Sequence, residues 1–584
     1  MLYQFKTYEI YITKNAKSAA FCRGAENDGA AVFLCILFGL VLLTSLFLLC
    51  IIYYYSINFL KVLLFYMKIE RSKNAARNVV FSWILKLYSL LVPFAIRTIM
   101  IHTIGMQYLG LNSLFSSVLQ VLNLAELGVG SALVFSMYKP IADDDGTTIC
   151  ALMRLYRKYY RIIGLVILVV GLAITPFVPK LISGSVPDDM NVYVLYLMNL
   201  TATVITYWLF AYKNCLLSAH QRSDVASKIT LIVSTIQYSL QIAVLFLLKN
   251  YYWYVLVLIA FGIVGNIVTA IVVDKMYPQY HAVGDLPKEQ VKEINKKVRD
   301  LFTAKIGSVV VDSADTIVIS AFLGLTALAV YQNYFYIITA VSGFIAVIYS
   351  SCTAGIGNSI ITETQEKNFN DLKKFTLIIS WLSGFCMCCL ACLYQPFMQL
   401  WVGKDNMLGY SYVICFCTYF YIRQIHSLLC LYKDAAGIWH KDRFRPLVTA
   451  LTNLVMNLIM VQFWGLYGVL LSTVISILLV GMPWLYSNLF TVLFKFNPTK
   501  YILQTVLYTV ISVVSCVICA VICNKFIVFD SLIATLIVRG VICCIIPNAI
   551  YLVCYRKTAE FTSSLALVNN LTKGKIKFLA KYAQ

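Results

Sequence analysis

Charge is scarce in this chain. Asp, Glu, Lys and Arg together make up 12% of its 584 residues, and the acids number only 26 against 47 bases. Soluble domains carry about 25% charged residues, so a soluble fold is excluded. Histidine is nearly missing, at 5 residues, and proline is held to 12. The chain contains no Walker A sequence, no Gly-rich dinucleotide loop and no His/Cys/Asp cluster at metal-ligand spacing. Nucleotide-driven and metal-dependent chemistry therefore lack a sequence basis: no catalytic residue, no metal site and no cofactor is expected, and the chain does not read as an enzyme. Large external loops, which a membrane glycosyltransferase or polysaccharide polymerase would carry, are absent too, the longest external connection being 394–412.

What is present is apolar: 60% of residues are hydrophobic. Runs of about 20 such residues, the length that crosses a roughly 30 Å hydrocarbon core, recur along the whole chain. Fifteen stretches qualify, near 31–53, 79–104, 114–137, 162–178, 193–217, 229–248, 253–273, 306–323, 329–355, 375–393, 412–431, 447–464, 468–491, 501–523 and 531–551. Thirty-five of the 47 Lys and Arg fall in alternate connections, while the opposite ones hold only Lys180, Lys249, Lys404 and Lys525. By the positive-inside rule the basic side is cytoplasmic, and so is the C-terminus. The net charge of +21 thus reflects topology, and nucleic acid is not an expected partner. The 19 cysteines, such as Cys386, Cys388, Cys389, Cys392, Cys516, Cys519 and Cys523, lie inside apolar spans and read as small buried hydrophobes.

Residues 1–66 fit poorly, because Lys6, Lys14, Lys17 and Arg23 precede their one apolar run. Two readings stand: one extra N-terminal helix, or an upstream extension ahead of a start at Met67.

The remaining fourteen spans contain a repeat. Pro176-Phe177 before Gly184 recurs 220 residues on as Pro396-Phe397 before Gly403, and Tyr212-Lys213 and His220 recur as Tyr432-Lys433 and His440. A duplicated unit of six spans is even, so both copies insert in the same orientation, related by an axis along the membrane normal. The expected fold is an all-α polytopic membrane protein. It has an N-lobe at 67–273, an amphipathic cytoplasmic linker at 274–305, a C-lobe at 306–494, and two further helices with a basic tail at 495–584.

Ionisable residues inside spans are costly, at about 2.5 to 3.5 kcal/mol on insertion scales, and mark pathways. Lys86 and Arg97 are eleven residues apart and so share a helix face. Together with Arg423 they are the candidate substrate-binding cations. Asp312 and Asp315, three residues apart, and Glu126 are the candidate ion-coupling carboxylates. At an offset of 218, Arg97-Thr98-Ile99 aligns with Asp315-Thr316-Ile317, which predicts a cation and an anion facing each other across a central cavity. Arg539 lies outside the repeat and suits lipid or headgroup contact as well as a cavity. Tyr251-Tyr252-Trp253-Tyr254 reads as an interfacial aromatic belt, and Pro93 and Pro483 as points of bending.

Three stretches carry a family resemblance: Ile96-Arg97-Thr98 through Tyr108-Leu109-Gly110-Leu111-Asn112-Ser113-Leu114-Phe115; Gln120-Val121-Leu122-Asn123-Leu124-Ala125-Glu126-Leu127-Gly128; and Ser136-Met137-Tyr138-Lys139-Pro140-Ile141-Ala142. With Leu217-Ser218-Ala219-His220-Gln221-Arg222 and Asp434-Ala435-Ala436-Gly437, they resemble bacterial Wzx-type polysaccharide flippases of the multidrug/oligosaccharidyl-lipid/polysaccharide exporter superfamily. The likeness runs from about Ser72 to the last helix. It implies a fourteen-helix transporter in the bacterial plasma membrane that moves undecaprenyl-pyrophosphate-linked oligosaccharide repeat units outward by alternating access. O-antigen or capsule synthesis is the implied pathway, a polysaccharide polymerase a pathway partner, and H⁺ or Na⁺ the implied coupling ion. A cation-coupled multidrug exporter of the same superfamily is the alternative.

Overall fold

The computed structural model describes residues 71–571 except 127 and 185, with the backbone alone at 71–83, 125, 300, 303–305, 308, 312, 354 and 567–571. The segment 1–66, its apolar run and Met67 lie outside the described residues, and so does the side chain of Asp312.

The first half comprises α1 (Arg71–Thr103), α2 (Met106–Leu122), α3 (Val129–Ala142), α4 (Gly146–Ile174), α5 (Val192–Trp208), α6 (Asn214–Ala219), α7 (Ser223–Leu247) and α8 (Tyr251–Met276). The second half comprises α9 (Lys288–Thr362), α10 (Gln365–Val402), α11 (Tyr410–Ala435), α12 (Arg445–Trp464), α13 (Leu466–Ser476) and α14 (Met482–Asn488). Then follow α15 (Thr499–Phe526), α16 (Leu532–Tyr555) and α17 (Ala559–Leu571). Eleven of the described helices are long and apolar enough to cross a membrane, or twelve with the bent pair α5–α6. α9 counts once in that tally, yet its 54-residue apolar part would be about 80 Å long at 1.5 Å per residue. It breaks at Gly324, with φ 87° and ψ 175°, and so supplies two crossings. The all-α polytopic reading holds.

Several expected spans are interrupted. The stretch at 114–137 is α2, a 3₁₀ turn at Asn123–Glu126, and α3. α5 meets α6 at 49°. A widened π turn at Ile477–Gly481 sits just ahead of Pro483, because proline lacks the N–H that would close an ordinary turn there. Pro93, by contrast, lies inside a continuous α1.

Helix faces are inverted relative to a soluble bundle. On α15, Tyr501, Thr505, Tyr508, Ser512, Ser515 and Cys519 point inward, while Leu503, Val506, Val510, Val513, Val517 and Val521 are exposed. Apolar groups outside and small or hydroxylated groups inside suit a lipid surround, where close helix contact rather than apolar burial holds helices together. The hydroxyls spend their hydrogen bonds locally, as when Thr505 donates to the Tyr501 carbonyl at 2.9 Å.

The repeat has a backbone signature. Gly105 (φ 97°) and Gly324 (φ 87°) turn the chain after corresponding helices, and Gly184 (φ 83°) and Gly403 (φ 79°) do so later. Each pair is 219 residues apart, and only glycine adopts such angles cheaply. The amphipathic segment 288–298 is helical, with Ile294 buried, and it continues as α9 into the next span rather than forming a separate linker helix. Of the expected aromatic belt, Trp253 is exposed, but Tyr251 is buried and donates to Asn112 Oδ1 at 3.0 Å.

Candidate functional site

α1 lies against the part of α9 beyond Gly324, and Arg97 sits at that junction. Its Nε donates to Asn333 Oδ1 at 2.6 Å, and its guanidinium lies over the Tyr336 ring, 5.8 Å from the centroid. Tyr336 in turn donates to the Leu90 carbonyl at 2.5 Å. On the Gly105 and Gly324 side the junction is sealed: Trp401 Nε1 donates to Thr98 Oγ1 at 2.7 Å, and the Phe94 and Trp401 ring centroids are 4.4 Å apart. Two donors in this closed place have no acceptor, Arg97 Nη2 and Asn333 Nδ2. A buried unpaired donor costs about 1–3 kcal/mol. A pair of them beside a fixed positive charge is suited to an oxyanion, above all to phosphate oxygens.

Lys86 lies on the same face of α1, as its spacing predicts. Its side chain runs past Gly343, where a methyl group would come within 3.6 Å of it. Lys86, Tyr336, Thr339, Gly343 and Phe344 line a cleft of about 150 Å³, and Tyr336 joins this cleft to Arg97. At the same level of α9, buried Gln424 donates to Ser342 Oγ at 3.1 Å, which brings α11 alongside. The next residue, Arg423, lies over the Tyr419 ring at 5.9 Å.

The expected opposition of Arg97 and Asp315 is not found. Asp315 accepts from Asn457 Nδ2 at 2.6 Å and from Thr473 Oγ1 at 3.0 Å, and Asn453 Nδ2 donates to Thr473 Oγ1 at 3.0 Å. Its carboxylate is thus turned into the bundle of α9, α12 and α13. The reason is register. The matched glycines set the repeat offset at 219, so Arg97 corresponds to Thr316 and not to Asp315. One residue is 100° of helix rotation, enough to aim a side chain into its own bundle.

Glu126 is in a different place again. It sits on the 3₁₀ turn between α2 and α3 and accepts from Tyr160 and Tyr207 hydroxyls, both at 2.5 Å, with Tyr156 bonded to Tyr160 at 2.9 Å. The small residues beside it do allow close packing: at Gly128 (φ 89°) a methyl group would lie 2.7 Å from Leu301 Cβ on α9. Arg539 faces neither lipid nor cavity. It is buried and caps carbonyls of Ile527 and Cys392.

The residues that complete these sites are neutral: Asn333, Tyr336, Gln424, Asn453, Asn457 and Thr473, and the tyrosines around Glu126. A search confined to charges passes over them. Asn453 and Asn457, four apart inside an apolar span, are the one local signal that was available.

The described residues form an all-helical bundle of membrane-length apolar helices with polar groups buried between them. No known family profile matches the chain, and no curated protein matches it in sequence. Among solved structures, the lipid II flippase MurJ in an inward closed conformation is similar with a TM-score of 0.58 at 16% identity, over 82% of this chain and 99% of that one. An inward-facing multidrug resistance MATE family transporter of the MOP superfamily is similar with a TM-score of 0.55 at 13% identity, over 69% of this chain and 93% of that one. At such identities what is shared is the fold alone.

Proposed function

We propose that this protein is a flippase for lipid-linked oligosaccharides, moving undecaprenyl-pyrophosphate-linked polysaccharide repeat units across the bacterial plasma membrane. The observation that carries this reading is the pair of unsatisfied donors, Arg97 Nη2 and Asn333 Nδ2, buried between the halves. Arginine suits a pyrophosphate, whose oxygens match its planar fork. Lys86 receives the headgroup first and Arg97, about 16 Å further along α1, holds it at mid-passage, with Arg423 assisting from α11. The lobes at 67–273 and 306–494 rock about this point. In the assigned orientation the C-terminus is cytoplasmic. The polyprenyl tail stays in lipid against α15 and α16, and a polysaccharide polymerase consumes the product.

Coupling falls to Asp315, whose carboxylate and the Thr473 hydroxyl offer oxygens to Na⁺ or a site for a proton, with the Asn457 amide N–H donating to the carboxylate. Asp312 and Glu126 are the other carboxylates assigned to coupling. The test is reconstitution in proteoliposomes with a fluorescent undecaprenyl-pyrophosphate oligosaccharide. The wild type should move it between leaflets, Arg97→Ala should not, and Arg97→Lys should retain part of the rate. Full activity of the alanine variant, or gradient-driven efflux of cationic drugs in place of lipid movement, refutes the reading and favours a multidrug exporter.

A further inference from the structure

Five of the buried cysteines are gathered in one place. Cys388 and Cys392 on α10, Cys519 and Cys523 on α15, and Cys543 on α16 are all buried and are the buried members of a small cluster apart from the main core, with Ala520, Ile542 and Ile546 packed against them. The i, i+4 spacing on α10 and on α15 puts both sulfurs of each pair on the facing side. Within the cluster the Sγ atoms of Cys392, Cys523 and Cys543, one from each helix, lie within 4.8 Å of one another. Ordinary packing would fill a three-helix junction with branched aliphatic side chains. Here every helix presents a soft donor to a common point.

A buried cation stands beside them. Arg539 is one helical turn before Cys543, and its guanidinium donates to the Cys392 carbonyl at 3.1 Å, to Asn524 Oδ1 at 3.0 Å and to the Ile527 carbonyl at 3.1 and 3.0 Å. Every acceptor it reaches is a neutral oxygen, and a buried charge without a counter-charge is costly. Thiolates at the triad would supply that counter-charge.

We propose that Cys392, Cys523 and Cys543 form a trigonal, all-sulfur binding site for copper(I) that ties α15 and α16 to α10. Thiolate donors without nitrogen or oxygen select soft metals. One copper(I) on two thiolates and one thiol carries a single negative charge, which Arg539 neutralises. Binding releases two protons to solvent and transfers no electron. Zinc would call for a fourth ligand, and a fourth thiolate would leave one negative charge uncompensated.

The test uses the full chain, purified in detergent under anaerobic, reducing conditions and titrated with copper(I) in competition with bathocuproine disulfonate. One copper(I) per chain should resist the chelator. Cys392→Ala, Cys523→Ala and Cys543→Ala should each abolish that binding, while alanine at the exposed Cys544 or Cys554 should leave it unchanged. X-ray absorption on the wild type gives a readout independent of how the variants fold, with sulfur-only scattering expected. Loss of all copper to the chelator, retention by the triple variant, nitrogen or oxygen scatterers, or one equivalent of zinc bound in preference to copper would overturn the assignment.

Discussion

Arg97 and Asn333 are 236 residues apart in the chain, yet the guanidinium Nε of one donates to the amide oxygen of the other at 2.6 Å across the junction of the two halves. That contact joins the first helix of one repeat to the second helix of the other.

Its removal should be costly and non-additive. Asn333→Leu deprives a buried guanidinium of its acceptor and should destabilise the protein by about 1–3 kcal/mol. Because each single change strands the other partner, the Arg97→Leu/Asn333→Leu double variant should lose less than the two single changes summed. Denaturant melts of the four proteins in one detergent give the cycle, and strict additivity would mean that the contact is absent in the folded protein.

Asp315 supports a separate experiment. If its cage with Asn457 and Thr473 holds the coupling ion, Asp315→Asn should remove the dependence of lipid movement on an imposed Na⁺ or proton gradient. Thr473→Val, which removes one oxygen, should raise the required ion concentration about tenfold, equivalent to about 1.4 kcal/mol. Gradient dependence that survives Asp315→Asn rejects the role.

Two glycines make a matched comparison. A methyl group on Gly110 would stand 2.1 Å from the Leu325 carbonyl oxygen, which is backbone and cannot swing aside. Gly105, at φ 97°, has nothing within 4 Å, so alanine there meets only backbone strain of about 1–3 kcal/mol. Gly110→Ala should therefore hold the halves apart at this end, and Gly105→Ala should not. Labelling of a Leu109→Cys reporter by an impermeant maleimide should rise in the first background alone.

The tyrosines around Glu126 predict a stability effect. Tyr160→Phe and Tyr207→Phe each remove one hydroxyl from the carboxylate and should each cost about 1–3 kcal/mol. Thermal unfolding of the two variants measures it. Melting temperatures equal to the wild type would show that the turn at Asn123–Glu126 does not depend on those bonds.

The helical class and the shared face of Lys86 and Arg97 were legible in the linear chain, because each depends on local composition or on the 3.6-residue period; against fifteen expected spans, the described residues hold eleven helices long and apolar enough to cross a membrane, or twelve with the bent pair α5–α6. Lipid demands about 20 apolar residues wherever the chain crosses, and a duplicated loop keeps its Pro, Gly and Lys landmarks. Which side chains meet was another matter. A one-residue error in the repeat offset rotated Asp315 by 100° in expectation, and only the packed helices revealed Asn457 and Thr473 as its partners. Asn333, the tyrosines at Glu126 and the convergence of Cys392, Cys523 and Cys543 likewise involve residues far apart in the chain. Hydropathy sets how many helices lie in the bilayer, but a lipid surround exerts almost no apolar force that would choose between helix faces. That choice was left to close backbone contacts and buried hydrogen bonds, which exist only once the helices have assembled.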